Sequence, residues 1–396
     1  IMKIDLIVGG KFHAFNLAEQ INKRGYLNKI TTSYPSYKLK KFNIDSKQIK
    51  SYILKEIFSR IFLKLPLINY FFDVDGFVNN YFDKVVSKKI NLEGVDILVG
   101  WSSFSKNSFI KANKFKCKKV LERGSAHIIF QNDILEKEFD YLKINKNLIS
   151  PRIISKELEE YEMADYIIVP SNFAKKTFLD KGFKEDKIIN MPLGVDLTKF
   201  DLDKKINQTK TKSDKFRIIS TGRLSVRKGT YYLLETFVNL NIKNSELLLI
   251  GDIDKDFQVI FNKYKNNKNI KHLKSQPEND LKNFYNFSDV FVSCSLEDGF
   301  SMVQLQAMAC GLPIITTFNT GASELINDGE EGFVLPIKNM SLLKDKINIL
   351  YNNDKLRNEM SNKSYLKAKN NLSWDLYGEK IIKFYEKIIS ESLLQN

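Results

Sequence analysis

Three stretches carry residue types and spacings suited to holding a phosphorylated sugar. STGRLSVRKGT (220–230) follows an apolar run and precedes a helical pattern, so Gly222 turns tightly while Arg223 and Lys228 project together. Two fixed cations would grip a diphosphate, and would gain strength as a leaving nucleotide develops charge. SCSLEDGFSMVQLQAMACGLPIITT (293–317) reads as strand, acidic turn, helix and strand. Gly299 frees the backbone there, so the amides of Phe300, Ser301, Met302 and Val303 can face an anion at the start of a helix. Asp298 sits at the turn, with Glu297 as an alternative acid beside it, and Gln306 follows eight residues on. Carboxylate and amide suit sugar hydroxyls. NTGASELINDGEEGFVLP (319–336) adds a further glycine turn, with Glu324 at a helix start.

Such residues need strands ending at one edge and helices starting there. MKIDLIVGG is a short apolar run closed by Gly9 and Gly10 and followed by helical spacing to Gly25. VDILVGW (95–101), KKVLERG (118–124) and DYIIVPS (165–171) continue the alternation. The same rhythm restarts at FRIISTG and runs through SELLLIGD, NIKHLKS, DVFVSCS, LPIITT and EGFVLP. The chain is thus expected to be α/β, two Rossmann-like doubly wound domains facing a cleft. The boundaries are 1–196, a polar linker 197–215, 216–372, and a helix 373–396 crossing back to the first domain.

The three stretches, with PLGVDLTKF (192–200), resemble the retaining GT-B glycosyltransferases of the group 1 superfamily over most of residues 165–375. The family pattern runs GRLxxxKG, then E-G-F-G followed by L-E-A-M-A-C-G-x-P-V-I, then a glycine turn and D-G-x-x-G. The resemblance implies that Arg223 and Lys228 bind the donor diphosphate, that Asp298 faces the donor sugar, and that Gln306 stands where a ribose-binding Glu is usual. It also brings Gly9 and Gly10 near the sugar, and gives His127 of LERGSAHIIFQ a contact with it. Catalysis would rest on Asp298, Arg223, Lys228 and His127. Two departures stand out: Gln306 replaces the second Glu of a Glu-x7-Glu pair, and Ser301 replaces a glycine.

Composition bounds the function. The 396 residues carry a net charge of +15, and residues 1–130 hold 23 Lys+Arg against 10 Asp+Glu, leaving the rest nearly balanced. Ile49, Ile53, Ile57 and Ile61 form an i+4 row of an expected basic amphipathic helix after Ser46, which either covers its own domain's core or, with this charge, meets an anionic membrane surface as a partner. No nucleic-acid motif accompanies the lysines at 111–119, and nucleic acid is not expected. Three scattered cysteines, with no leader pattern, point to a reducing cytoplasm, and the basic first domain to a peripheral place on the inner face of its membrane as a further reading. Asp73-Val74-Asp75 could hold a metal but is read as a turn; Cys117, Cys294 and Cys310 lack partners at ligand spacing, so neither metal nor cofactor is expected.

The expected activity is retaining transfer of a sugar from a UDP- or GDP-sugar to a hydroxyl of a glycan or lipid-linked oligosaccharide, in cell-envelope polysaccharide or lipopolysaccharide biosynthesis. A sugar-nucleotide epimerase or phosphorylase on the same fold is the alternative, and a non-catalytic glycan- or nucleic-acid-binding protein the rival from another class.

Overall fold

A computed structural model of the chain describes residues 2–63, 73–146, 148–202, 215–240 and 242–394. The first sheet contains β1 (Ile4–Val8), β2 (Leu27–Thr32), β3 (Ile49–Ser51), β4 (Ile97–Trp101), β5 (Lys118–Glu122), β6 (Tyr166–Val169) and β7 (Ile188–Asn190). Their spatial order is β3-β2-β1-β4-β5-β6-β7, with every neighbouring pair parallel. The second contains β8 (Phe216–Thr221), β9 (Ser245–Ile250), β10 (Ile270–Leu273), β11 (Val290–Val292), β12 (Ile314–Thr317) and β13 (Gly332–Leu335). Its order is β10-β9-β8-β11-β12-β13, again parallel. Strands covered on both faces read as mainly apolar runs, and β1, β4 and β9 are buried at every residue, with Asp5 of β1 and Ser245 and Glu246 of β9 the polar exceptions.

In each sheet the strand order reverses beside the first strand, at β1/β4 and at β8/β11. Loops leaving the carboxyl ends there diverge and open a crevice. The Gly9–Gly10 loop lies at the first such point and the 222–229 loop at the second.

Two segments that join the domains run side by side. Val195 N–H donates to Leu372 O at 2.7 Å, and a Cβ on Gly194 would sit 2.6 Å from the Trp374 nitrogen. Beyond this crossing, the helix Trp374–Leu394 lies on the first domain's helix Ala14–Lys23, with Lys23 on Asp375 at 3.0 Å, and Tyr26, in the turn that follows, donates to Glu386 at 2.9 Å. Most of the expected linker, residues 203–214, lies outside the described residues.

One expectation is corrected. Residues 46–65 do not form a single helix: Ser46–Gln48 is a 3-10 turn, Ile49–Ser51 is edge strand β3, and the helix spans Leu54–Leu63. A three-residue strand is too short to show alternation, so its Ile49 fell into the i+4 row of the helix that follows. Asp73 is not a plain turn either; it caps the helix Val74–Lys89, its carboxylate accepting from Gly76 N–H at 2.9 Å.

Candidate active site

The 222–229 loop is shaped by two left-handed glycines. Gly222 has φ 111°, and Gly229 has φ 60° with no room for a side chain, since a Cβ would meet Cys294 O at 1.9 Å. Between them the loop sends Arg223 and Lys228 into a pocket that is also lined by Thr221, Gly222, Ser301 and Val303. Lys228 forms an ion pair with Asp298. Burial alone would raise the Asp298 carboxyl, but Lys228 and Arg227, with the Phe300 N–H, hold it below the usual range. It is therefore a fixed anion at neutral pH. Arg223 reaches Asp254 at 2.9 Å while largely exposed, a pairing weak enough in water to be exchanged for a ligand.

Facing the cations is the helix Met302–Ala309. Its cap residue, Ser301, makes no side-chain hydrogen bond to the first turn, so the amino end keeps backbone donors for an anion. Gln306, on the same helix, accepts from the Tyr285 hydroxyl at 3.2 Å, and that hydroxyl also bonds Thr221 Oγ1 at 2.7 Å. Gln306 is thus tied to the pocket wall formed by the end of β8. Tyr285 was not foreseen, since an aromatic on a helix carries no local mark of its partner.

The two acids of the turn separate by role. Glu297 is fully buried and points across the cleft, accepting from Ser125 Oγ at 2.6 Å and Ala126 N–H at 3.0 Å, with Arg227 at 3.2 Å. Gly299 lies against the same first-domain loop: a Cβ there would stand 2.4 Å from Gly124 O and 2.5 Å from Ser125 Cα. Ser171 Oγ–H donates to Gly299 O at 2.8 Å, and Asn172 N–H to Glu324 at 2.8 Å. Glu324 lies in a 3-10 turn, Gly321–Leu325, where it caps a helix of the other domain, Asn172–Leu179. Ser125, expected from sequence to line the first domain's side of the cleft, and Arg227, to which the sequence gives no role, both make cross-domain contacts.

On the first domain, Gly9 is needed because a Cβ would stand 2.0 Å from the buried Phe104 ring, whereas one on Gly10 would meet only the exposed Phe12 ring, at 2.7 Å. His127 packs within the first domain, two residues after Ser125. Its ring lies 4.9 Å from Phe178 and 5.1 Å from Tyr161, buried, and Nδ1 accepts from Ile129 N–H at the start of the helix Ile128–Leu142. Burial first, then Arg123 and Lys181, push its pKa down to about 4, so it is a neutral helix cap. Among the described residues, no group of three His, Cys, Asp or Glu side chains is placed to hold a metal ion, and no helix is long and apolar enough to cross a membrane.

Residues 201–367 match the family model for glycosyl transferases group 1. The capsular polysaccharide biosynthesis glycosyltransferase CapM of Staphylococcus aureus is 28% identical over 240 residues, 58% of this chain and 63% of that protein. A UDP-Gal:alpha-D-GlcNAc-diphosphoundecaprenol alpha-1,3-galactosyltransferase of Escherichia coli is 31% identical over 44% of this chain and 48% of its own length. The matched stretch thus spans less than two thirds of either relative. Among solved structures, Anabaena HepE in complex with UDP-glucose superposes over all of both chains with a TM-score of 0.69 at 14% identity. A glycosyltransferase from Rickettsia africae superposes over 98% of this chain and 99% of its own, with a TM-score of 0.67 at 19% identity.

Proposed function

The chain carries a group 1 glycosyltransferase domain within a GT-B fold, and from that premise we propose that it transfers a sugar, with retention, from a nucleotide diphosphate sugar to a glycan or lipid-linked acceptor. The observation that carries the reading is the pocket holding Arg223, Lys228 and the uncapped end of Met302–Ala309, with Asp298 anchored beside it. A donor diphosphate would replace Asp254 as the partner of Arg223 and share Lys228 with Asp298. Charge growing on the leaving phosphate is met by cations already in place, and its oxygen can take the acceptor proton, so the chain supplies position and field rather than a nucleophile. Gln306 and Gly222 would hold the nucleoside end. UDP is the favoured nucleotide, since a neighbour of the same fold was solved with UDP-glucose and a relative is named for UDP-Gal. Cell-envelope or capsular polysaccharide assembly is the proposed setting, on the strength of relatives so named.

We further propose peripheral docking on an anionic membrane from the cytoplasmic side. The helix Leu54–Leu63 leaves Leu54, Ile57 and Ile61 between 41% and 49% exposed on the strongly basic domain. Co-sedimentation with acidic liposomes at low salt is the expected result, and no sedimentation would remove the membrane from the account.

The donor is tested by thermal shift with UDP, GDP, ADP, CDP and their sugar conjugates. Ligand at a hundred times its dissociation constant adds about 2.7 kcal/mol of stability. Selective stabilisation by one nucleotide, lost in Arg223→Ala, is expected, followed by transfer of labelled sugar. Indifference to all of them would refute the reading.

A further inference from the structure

A second pocket opens on the first domain, lined by Phe77, Ser103, Lys106, Arg152, Lys156 and Glu159 among others. We infer that it binds a phosphate group of the acceptor, an assignment that rests on the transferase reading for its purpose but not for its test.

Topology places the pocket at the reactive edge of the sheet. The helices Val74–Lys89 and Pro151–Met163 lead into β4 and β6 in the chain order, and in a parallel sheet such helices run against the strands they feed. Their amino ends therefore stand at the carboxyl ends of the strands, where Ser103 follows β4 and where open α/β sheets receive ligands. Phe104, next to Ser103, also touches Phe12 of the Gly9–Gly10 loop, ring centroids 6.2 Å apart, so the pocket adjoins the first domain's switch point.

Three cations line it: Lys106 engages Glu159, Lys156 lies against the carboxylates of Asp83 and Glu160, and Arg152 stands at the opening. Lys156 is 8% exposed, and its ammonium makes an ion contact of 2.9 Å with Asp83 and acts on the nearby Glu160. The Asp83 carboxylate is also occupied by the start of the helix Lys106–Ala112: Asn107 N–H at 2.8 Å, Asn107 Nδ2 at 2.9 Å, Ser108 N–H at 3.1 Å and Ser108 Oγ at 3.0 Å. The ammonium is thus paired, and a ligand phosphate would share it with Asp83. Arg152, exposed at the rim, adds a fork suited to phosphate oxygens. Phe77, 43% exposed, forms an apolar lip beside this charge, and its helix packs on Leu54–Leu63 through Tyr81 and Phe58, 5.6 Å between rings. An anion with hydrocarbon attached, a lipid phosphate, matches both halves of that lining.

Calorimetric titration of farnesyl diphosphate and of inorganic pyrophosphate into the full chain tests the site directly, whether or not transfer has been observed. Farnesyl diphosphate is expected to bind, at least tenfold more weakly to Arg152→Glu and to Lys156→Met, and within twofold of wild type to Lys228→Ala. Tighter binding of farnesyl diphosphate than of pyrophosphate, reduced by Phe77→Ser, identifies a lipid phosphate; equal binding identifies a soluble one, and either keeps the phosphate site. Unchanged affinity in Arg152→Glu, an exposed position whose variant folds, would overturn it. So would no binding, or loss in Lys228→Ala alone, which assigns the diphosphate to the donor pocket. Failure of the nucleotide-sugar panel would instead strike the transferase reading and leave this result standing.

Discussion

Glu297 Oε1 accepts the Ser125 hydroxyl at 2.6 Å although the two residues are 172 positions apart and belong to different domains. One residue on, Asp298 turns the other way, to Lys228. Adjacent acids at a turn thus divide the work: the first holds the domains together, and the second sets the charge of the pocket. The cleft is closed at this point by hydrogen bonds, beside apolar clusters that run across both domains, Leu135 and Phe139 of the first packing with the core of the second. The hydrogen bonds add what apolar contact lacks, a fixed register between the two domains.

Gly299 tests whether that closure matters. A methyl group there would collide with Gly124 O and Ser125 Cα, which are backbone and cannot rotate away. Gly299→Ala is expected to keep nucleotide binding, since the pocket lies wholly on the second domain, and to lower kcat by at least tenfold because the domains cannot meet. Nucleotide titration beside a transfer assay separates the two. Equal loss of both would mean that the glycine serves the pocket instead.

Glu297→Ala removes the same closure from the charge side. It strands Arg227 and leaves the Ala126 N–H without its acceptor, at a cost of about 2 kcal/mol. A melting temperature lower by a few degrees is expected, with a wider cleft visible in small-angle scattering. A variant as stable and as compact as wild type would show that the contact is incidental.

Lys228→Ala is expected to reduce kcat by roughly a hundredfold to a thousandfold, the usual effect of losing a charge aimed at a developing anion. Asp298 loses its main counter-ion in this variant and its pKa rises toward the ordinary range. Activity of the wild type is expected to survive EDTA, because Arg223 and Lys228 supply the positive charge that a metal would otherwise bring. Loss on chelation, restored by a divalent cation, would contradict that account.

Legibility in the sequence followed distance along the chain. Strands buried on both faces announce themselves as apolar runs, and the glycine turns that follow them mark a phosphate site within ten residues. The pairs that close the cleft do not: Glu324 caps a helix 152 positions away, and no local pattern links it to Asn172. The choice between Glu297 and Asp298 was open for the same reason, as both lie in one turn and only the folded partners tell them apart. β3 was absorbed into a helical row because three residues cannot display a period.

His127 gives the sharpest contrast between the two levels, and a pH experiment decides it. Its ordinary pKa of 6.5 falls to about 4 in the native state, with burial the largest cause. Between those values the unfolded chain binds a proton that the folded chain refuses, so the contribution of this residue is full above pH 6.5 and is lost as pH falls toward 4. At about 1.4 kcal/mol per unit the loss reaches roughly 3 kcal/mol. Denaturant midpoints for the wild type are expected to fall across that window, and those for His127→Gln, which can still present an acceptor to Ile129 N–H, to fall less. Transfer by His127→Gln at pH 7.5 should stay within a few-fold of wild type, since the ring is enclosed by Tyr161 and Phe178 rather than open to the cleft. A stable variant with transfer abolished would instead return His127 to the sugar, and would require the helix start at Ile128 to rearrange when donor binds.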